Sequence, residues 1–94
     1  MVRHIVMWKF REDAQAQAEE FLRRLTALEG VIPCIRGMQV LRSAETGSAY
    51  DAVLIADFDS LEAVQQYKDD PRHRAVSALC KEIRTDRRAI DVTL

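Results

Sequence analysis

Apolar side chains recur at alternate positions near the start of the chain, which predicts a β-strand over residues 2–10. One face of this strand is formed by Val2, His4, Val6, Trp8 and Phe10. The opposite face also carries large apolar groups, Ile5 and Met7, with charged residues towards its ends. A strand with two apolar faces is expected to be buried on both sides.

Three further segments have strand character. Residues 35–42 are predicted to form a second strand, in which Gly37 is interpreted as the position of a bulge. Residues 50–58 are predicted to form a third strand, again with two apolar faces. The polar loop of residues 43–49 is of hairpin length, so the strands on either side are expected to pair antiparallel. Residues 88–93 are predicted to form the last strand.

Two helical segments separate these strands. Asp13 is the predicted N-cap of a first helix that runs to about Glu29, where Gly30 supplies a left-handed helix end. The second segment begins at the sequence DSLE, which has the spacing of a capping box with Asp59 as the cap.

The second helical segment is predicted to break in two at Asp70 and Pro71. Proline suits the first position of a helix and aspartate suits its cap, so a new helix is expected over residues 71–84. His73 then lies in its first turn, where free amide groups disfavour a cationic imidazole and favour a neutral base. Tyr67 lies near the end of the preceding helix, and its phenol is of a type that can donate to a developing enolate oxygen.

The predicted order β-α-β-β-α-β indicates an α+β, ferredoxin-like sandwich with a four-stranded antiparallel sheet and helices on one face. An antiparallel sheet usually has a polar face towards water, but the first and third strands are apolar on both faces. A second copy of the chain is the simplest cover. The sequence therefore predicts a homodimer through the open sheet face, which forms a dimeric α/β barrel.

The composition is that of a single globular domain, residues 1–94, with 48% hydrophobic and 31% charged residues. The net charge is −1 and no basic stripe is interleaved with aromatics, which argues against nucleic acid as a partner. The cluster Arg84, Arg87 and Arg88 is interpreted as a solvated helix end and strand start. No run of apolar residues is long enough to span a membrane, and no signal-peptide core is present, so a cytoplasmic protein is expected.

The potential metal ligands are too few and too scattered to predict a metal site. Cys34 and Cys80 lie far apart without a C-x-x-C motif, and only His4 and His73 add imidazole groups. The turn of residues 29–35 offers main-chain carbonyls to a hard cation but no carboxylate cluster, and no metal is assigned to it. Both thiols are expected to be free.

Four stretches of the sequence together resemble one family, the stress-responsive A/B barrel (Dabb) domain. They are HIVMWKF near the start, YDAVLIADFDS in the centre, YKDDPRH after it and RRAIDVTL at the end. The resemblance covers nearly the whole chain and implies a dimeric α/β barrel, the fold that the hydrophobic pattern predicts separately.

The resemblance also implies a set of catalytic residues. Some plant members of the family are polyketide cyclases, which close a linear chain by carbon–carbon bond formation without a redox cofactor. In these enzymes the tyrosine and the second histidine of a Y-x-x-H-P-x-H motif act as an acid/base pair beside a histidine of the first strand. The matching positions are Tyr67, His73 and His4, and Asp70 stands where the motif has its first histidine.

Two functional hypotheses follow. In the first, a mostly apolar pocket binds a small apolar carbonyl compound, and the three implied residues perform cofactor-free proton transfer, as in a cyclase, an isomerase or a decarboxylase. Val6, Trp8 and Phe10, on the face of the first strand that carries His4, are the candidate substrate-binding residues. In the second, the protein is a non-catalytic stress-response or ligand-binding dimer, and the same residues only close the core. A cofactor-independent monooxygenase is a further alternative.

Overall fold

The computed structural model describes the whole chain, Met1–Leu94. Its strands are β1 (Val2–Phe10), β2 (Gly37–Arg42), β3 (Ala52–Phe58) and β4 (Arg84–Thr93). Its helices are α1 (Gln15–Thr26), α2 (Leu61–Asp69) and α3 (Pro71–Ile83), and a short 3-10 turn, Glu12–Ala14, precedes α1. The predicted α+β order, with a second helix broken in two, is confirmed.

The four strands form one antiparallel sheet in the order β2-β3-β1-β4. The hairpin pairing of β2 with β3 is as predicted. The bulge predicted at Gly37 is wrong, because Gly37 lies opposite Asp57 in regular register. The register shifts instead between Lys9 and Phe10, where β1 pairs with the start of β4.

The helices cover one face of the sheet, and the core lies between them. The face of β1 that carries His4 is turned towards the helices and is buried at His4, Val6, Trp8 and Phe10, whereas Met7 on the other face is 37% exposed in the single chain. Val6, Trp8 and Phe10 belong to one buried hydrophobic cluster, which also includes residues of β3 and of all three helices. Phe21 of α1 packs edge-on against Trp8, with ring centroids 5.1 Å apart. Each such fully buried side chain contributes about 1.5–3 kcal/mol of hydrophobic stabilisation.

The strand boundaries differ from the predicted ones mainly at β4. This strand begins at Arg84 rather than at residue 88, because its backbone continues to pair with β1 as far as Phe10. The first residues of β4 are largely polar, so the hydrophobic pattern carries no sign of the extra length. Strands β2 and β3 each begin two residues later than predicted.

Helix α1 does not begin with the predicted Asp13 cap, but Gly30 after the helix is left-handed as predicted. Asp13 makes no capping hydrogen bond and lies in the 3-10 turn, where its carboxylate accepts from the Arg11 guanidinium at 3.0 Å. Helix α1 ends at Thr26, and the residues up to 31 form turns rather than helix. Gly30 has the predicted left-handed conformation, with φ of 81°.

The caps of the other helices show which side chains are free to bond the backbone. Ser60, not the predicted Asp59, caps α2, and its hydroxyl accepts from the amide of Ala63 at 3.1 Å. Asp59 is engaged instead by the Arg36 guanidinium at 2.9 Å. Both residue types are good caps, and the one without an ion-pair partner is the one that bonds the backbone here.

The break between α2 and α3 has the predicted chemistry. The Asp70 carboxylate accepts from the amide of Arg72 at 2.8 Å, and Pro71 takes the first position of α3. The Arg72 side chain also bonds this carboxylate, and these contacts lower the pKa of Asp70 to about 2. No helix in the structure has the length and apolar character needed to cross a membrane.

We expect Ser60→Ala to lower the free energy of unfolding by about 1 kcal/mol, because the first turn of α2 loses its side-chain acceptor. Asp59→Ala is the matched control and should cost less, since Asp59 forms only an exposed ion pair. Urea denaturation of both variants measures the difference. An equal or larger loss for the aspartate variant would contradict the assignment of the cap.

Candidate functional site

A small cavity lies between the helix-covered face of the sheet and the helices, with a volume of about 30 Å³. Such a volume holds about two water molecules. The three candidate catalytic residues, His4, Tyr67 and His73, all line it. Of the candidate substrate-binding residues, Val6 and Trp8 line it as well. The structure thus brings five of the six candidates together around one space.

Phe10 is the candidate that lies outside the cavity lining. Its side chain is buried, and its ring packs edge-on against Phe21, with centroids 6.0 Å apart. It follows Trp8 on the inner face of β1 but is one step further from His4. Its position is that of a core residue.

The hydroxyl of Tyr67 is buried without any hydrogen-bond partner, and it is the one such side-chain oxygen or nitrogen in the chain. Leaving a buried hydroxyl unpaired costs about 1–3 kcal/mol, so this group needs an explanation. Burial raises the pKa of Tyr67 well above that of a free phenol, so the hydroxyl keeps its proton. It is therefore a hydrogen-bond donor with nothing in the protein to donate to.

His73 lies in the first turn of α3, with its ring 4.3 Å from the ring of Tyr67 between centroids. Its Nδ1 is 3.2 Å from the carbonyl oxygen of Lys68. A carbonyl oxygen only accepts, so Nδ1 carries the hydrogen and Nε2 carries the lone pair. Burial lowers the pKa of His73, an effect that outweighs the opposing hydrogen bond to Lys68. The imidazole is neutral near pH 7 and has the form of a general base.

His4 is a second buried imidazole at the same cavity. Its Nδ1 is 2.6 Å from a carboxylate oxygen of Asp91, which lies directly opposite it on β4. The carboxylate accepts from Nδ1, so Nε2 of His4 is again the acceptor nitrogen. Burial lowers the pKa of His4, although the bond to Asp91 acts in the opposite direction. The ring centroids of His4 and Tyr67 are 6.2 Å apart.

Sequence reasoning missed Asp91, the partner of His4, and four polar or thiol residues of the cavity lining. The four are Ser77, Cys80, Arg84 and Arg87. Ser77 and Cys80 lie on the inner face of α3, and their helical spacing gave a signal only for packing. Asp91 gave none, since its partner His4 is distant in sequence and the register of β1 with β4 is set by the whole sheet.

The arginine cluster at the start of β4 has two environments. Arg88 lies on the opposite face of the sheet and pairs with Asp86 at 3.8 Å, which fits the solvated surface predicted for the cluster. Arg84 and Arg87 instead line the cavity, so that interpretation is wrong for them. More than a third of Arg87 is exposed, yet partial burial is the main cause that lowers its pKa. Arg87 therefore lies at the rim, between solvent and the cavity.

No three side chains among the His, Cys, Asp and Glu residues come together in a way that could hold a metal ion. In the turn of residues 29–35, two guanidinium groups already bond the main-chain carbonyls. Arg72 donates to the oxygen of Val31 at 3.0 Å, and Arg36 donates to the oxygen of Pro33 at 3.4 Å. Positive charge therefore already occupies the part of the turn that was considered for a cation.

Solved structures with the same fold include several dimeric proteins. A dimeric, ferredoxin-like protein of unknown function from Bacteroides fragilis NCTC 9343 is 28% identical in sequence, with a TM-score of 0.90 over 99% of this chain and 95% of that chain. A dimeric ferredoxin-like protein of unknown function from Thermobifida fusca YX is 26% identical, with a TM-score of 0.86 over 99% and 90%. The predicted ferredoxin-like fold is confirmed.

An enzyme shares the fold at much lower identity. The hydroxynitrile lyase from Passiflora edulis is 12% identical, with a TM-score of 0.86 over 99% of this chain and 92% of that chain. No curated protein matches the chain. The family model of the stress responsive A/B barrel domain matches residues 2–94. The chain therefore belongs to the stress responsive A/B barrel (Dabb) domain family.

Proposed function

We propose that the protein binds a small carbonyl compound in the cavity of His4, Tyr67 and His73 and performs cofactor-free acid/base chemistry on it. The observation that carries this proposal is the buried, unpartnered hydroxyl of Tyr67 beside the neutral imidazole of His73. A purely structural role could account for His4, Tyr67 or His73 taken one at a time, as a residue that fills the core. It gives no reason to bury a hydroxyl without a partner next to two imidazoles that each have an acceptor nitrogen free.

The proposed reaction begins with a carbonyl oxygen that accepts a hydrogen bond from the Tyr67 hydroxyl. Nε2 of His73 then removes a proton from the carbon next to the carbonyl, and the electron pair of the broken C–H bond moves to form the enolate. The Tyr67 hydroxyl stabilises the charge that develops on oxygen, an effect that is strong in a buried site. Return of the proton at another position gives isomerisation, and attack of the enolate on a second carbonyl gives cyclisation.

His4 supplies a second proton-transfer group on this proposal. The Asp91 carboxylate holds the His4 ring in one orientation and stabilises the imidazolium that forms when Nε2 takes a proton. His4 lies on the central strand β1 and Asp91 directly opposite it on the edge strand β4, so the ladder between the two strands holds both side chains in place. Two imidazoles can then serve the two proton transfers that cyclisation or isomerisation requires.

The relatives agree with this proposal without deciding it. The Passiflora edulis protein is named as a lyase, and the two more similar proteins have no known function. At such low identity the lyase shows only that the fold is able to carry an enzyme, because one fold hosts many functions. The assignment depends on the side chains of this chain.

We propose further that two chains pair through the open face of the sheet. Large apolar side chains on that face remain exposed to solvent, with Ile90 59%, Leu41 50% and Met7 37% exposed. Ile5, Val53 and Ile55 lie between them on the same face. An apolar sheet face of this extent is typical of an interface between subunits, and the dimeric state of the two relatives supports it.

The acid/base proposal predicts exchange of the hydrogens next to a carbonyl group for deuterium. In D₂O, a panel of small ketones followed by proton NMR should show exchange above background with the wild-type protein. His73→Gln and Tyr67→Phe should each slow it roughly a hundredfold or more. Tyr50→Phe is the matched control, because the hydroxyl of this second tyrosine bonds Asp86 outside the cavity.

Stability measurements separate a lost role from a lost fold. Tyr67→Phe should leave the free energy of unfolding unchanged or raised, since the removed hydroxyl makes no hydrogen bond. Exchange that stays at background for every ketone would leave the protein a non-catalytic binder. Exchange that survives both substitutions would remove the roles proposed for His73 and Tyr67.

The two histidines are expected to titrate below pH 6.5, because burial lowers the pKa of both. Just below pH 6.5 the unfolded chain then binds more protons than the folded one. The free energy of unfolding should therefore be unaffected by these groups above that pH and should fall as the pH drops through their folded pKa values. NMR titration of the two imidazoles checks this, and a midpoint above 6.5 for either would contradict the electrostatic account of the site.

Ile90→Lys should convert the proposed dimer to a monomer, because each chain would bury an unpaired ammonium group in the interface. Leu61→Lys is the matched control, since Leu61 is 62% exposed, close to the 59% of Ile90, but lies on α2. Sedimentation velocity at micromolar concentration distinguishes the two. A wild-type monomer, or equal behaviour of the two variants, would rule out this interface.

A further inference from the structure

The cationic side chains of this chain fall into two groups. Ten of the fourteen lysines and arginines form an ion pair with an aspartate or a glutamate. The four that have no such partner are Lys68, Lys81, Arg84 and Arg87. All four lie at one place in the molecule, around the candidate site.

Arg84 and Arg87 line the cavity itself, together with the unpartnered hydroxyl of Tyr67. Arg87 lies opposite Trp8 on the neighbouring strand, so its side chain starts from the helix-covered face of the sheet. Partial burial lowers the pKa of Arg87, and the positive charge of Arg84 lowers it further. Two like charges held close together without a carboxylate are unfavourable unless something negative binds between them.

Lys68 and Lys81 line an open groove of about 410 Å³ that adjoins the cavity. His73 and Ser77 line both the groove and the cavity, so the two spaces adjoin at these side chains. Arg74 adds a third cation to the groove, although it pairs with Asp69 at 3.5 Å. The groove has no acidic residue in its lining.

The cavity lining contains no acidic residue, and the carboxylate that bonds its His4 is already engaged. The Asp91 carboxylate bonds Nδ1 of His4 at 2.6 Å, which leaves Arg84 and Arg87 without a protein anion. The whole chain carries a net charge of −1, so the positive region is local and not a general property of the surface. A local positive potential at a concave site raises the concentration of anions there and speeds their association.

We propose that the ligand of this site is a small oxo acid, a short organic chain with a carbonyl group at one end and a carboxylate at the other. Arg84 and Arg87 bind the carboxylate at the mouth, where guanidinium groups hold it by charge-assisted hydrogen bonds. The carbonyl end enters the cavity and meets the Tyr67 hydroxyl. The position of the carbonyl depends on the function proposed above, whereas the binding of the carboxylate depends only on the cations.

The dimensions of the site favour this arrangement over a larger apolar ligand. The cavity of about 30 Å³ admits only a few non-hydrogen atoms, far less than the several hundred Å³ of a pocket for a drug-sized molecule. The rest of the ligand must lie at the mouth, where the lining side chains are cationic. The small apolar carbonyl compound expected from the sequence is a poorer match to such a mouth than an anion.

The test compares an oxo acid with its uncharged amide, 4-oxopentanoate with 4-oxopentanamide, by chemical-shift titration of the ¹⁵N-labelled protein. The acid should bind at least about tenfold more tightly than the amide, and increasing salt should weaken only the acid. The double variant Arg84→Gln/Arg87→Gln should lose about tenfold or more of the affinity for the acid and none for the amide. Arg23→Gln, on the exposed side of α1, is the matched control and should bind as the wild type.

The outcomes separate this inference from the function on which part of it rests. Equal affinities for acid and amide, wild-type affinity in the double variant, or no binding of the acid up to millimolar concentration would each overturn the anionic ligand. Deuterium exchange of neutral ketones could still proceed in that case. Conversely, carboxylate binding that needs both arginines while no carbonyl compound exchanges would support the anion site and remove the catalytic role. Inorganic phosphate is a third probe, and binding as tight as that of the oxo acid would show a general anion site and overturn the assignment to an oxo acid.

Discussion

The pairing of β1 with a strand on each side fixes which residues the rest of the molecule can use. Side chains alternate between the two faces of a strand, so a shift of one residue in the register exchanges the faces. In the register that forms, Asp91 and Arg87 of β4 lie on the helix-covered face, opposite His4 and Trp8. A shift of β4 by one residue would move both to the open face. The site and the apolar open face are thus two results of one alignment.

The parts of the fold that local pattern determines were predicted from sequence. Alternation identified the inner face of β1, and the pairing of β2 with β3 followed from a short loop. The break at Asp70 and Pro71 was predicted because a proline and a capping carboxylate act within a few residues of each other. The errors occur where distant contacts decide. Arg36 engages Asp59 and leaves the cap of α2 to Ser60.

The candidate site divides in the same way. His4, Tyr67 and His73 were identified because a family resemblance and a helix break pointed to them. The groups that give the site its electrostatic character were missed, since Asp91 and Arg87 reach it only through the pairing of the first and last strands. A cluster of arginines in a sequence is usually solvated. Arg84 and Arg87 differ from Arg88 in two ways: they have no carboxylate partner, and they lie on the other face of the strand. A sequence shows neither property.

The aspartate in place of the first histidine of the family motif has a role that follows from the helix break. In an unbroken helix the amide of Arg72 would bond the carbonyl of Lys68, four residues earlier. The Asp70 carboxylate takes that amide instead, at 2.8 Å, so the Lys68 carbonyl is left to accept from Nδ1 of His73 at 3.2 Å.

That bond sets the tautomer of His73 and leaves Nε2 as its acceptor nitrogen, the one that a general base requires. Asp70 does not line the cavity, but its carboxylate bonds a free amide in the first turn of the helix that carries His73. The aspartate therefore removes one imidazole from the motif and supplies the cap of the helix that carries the remaining one.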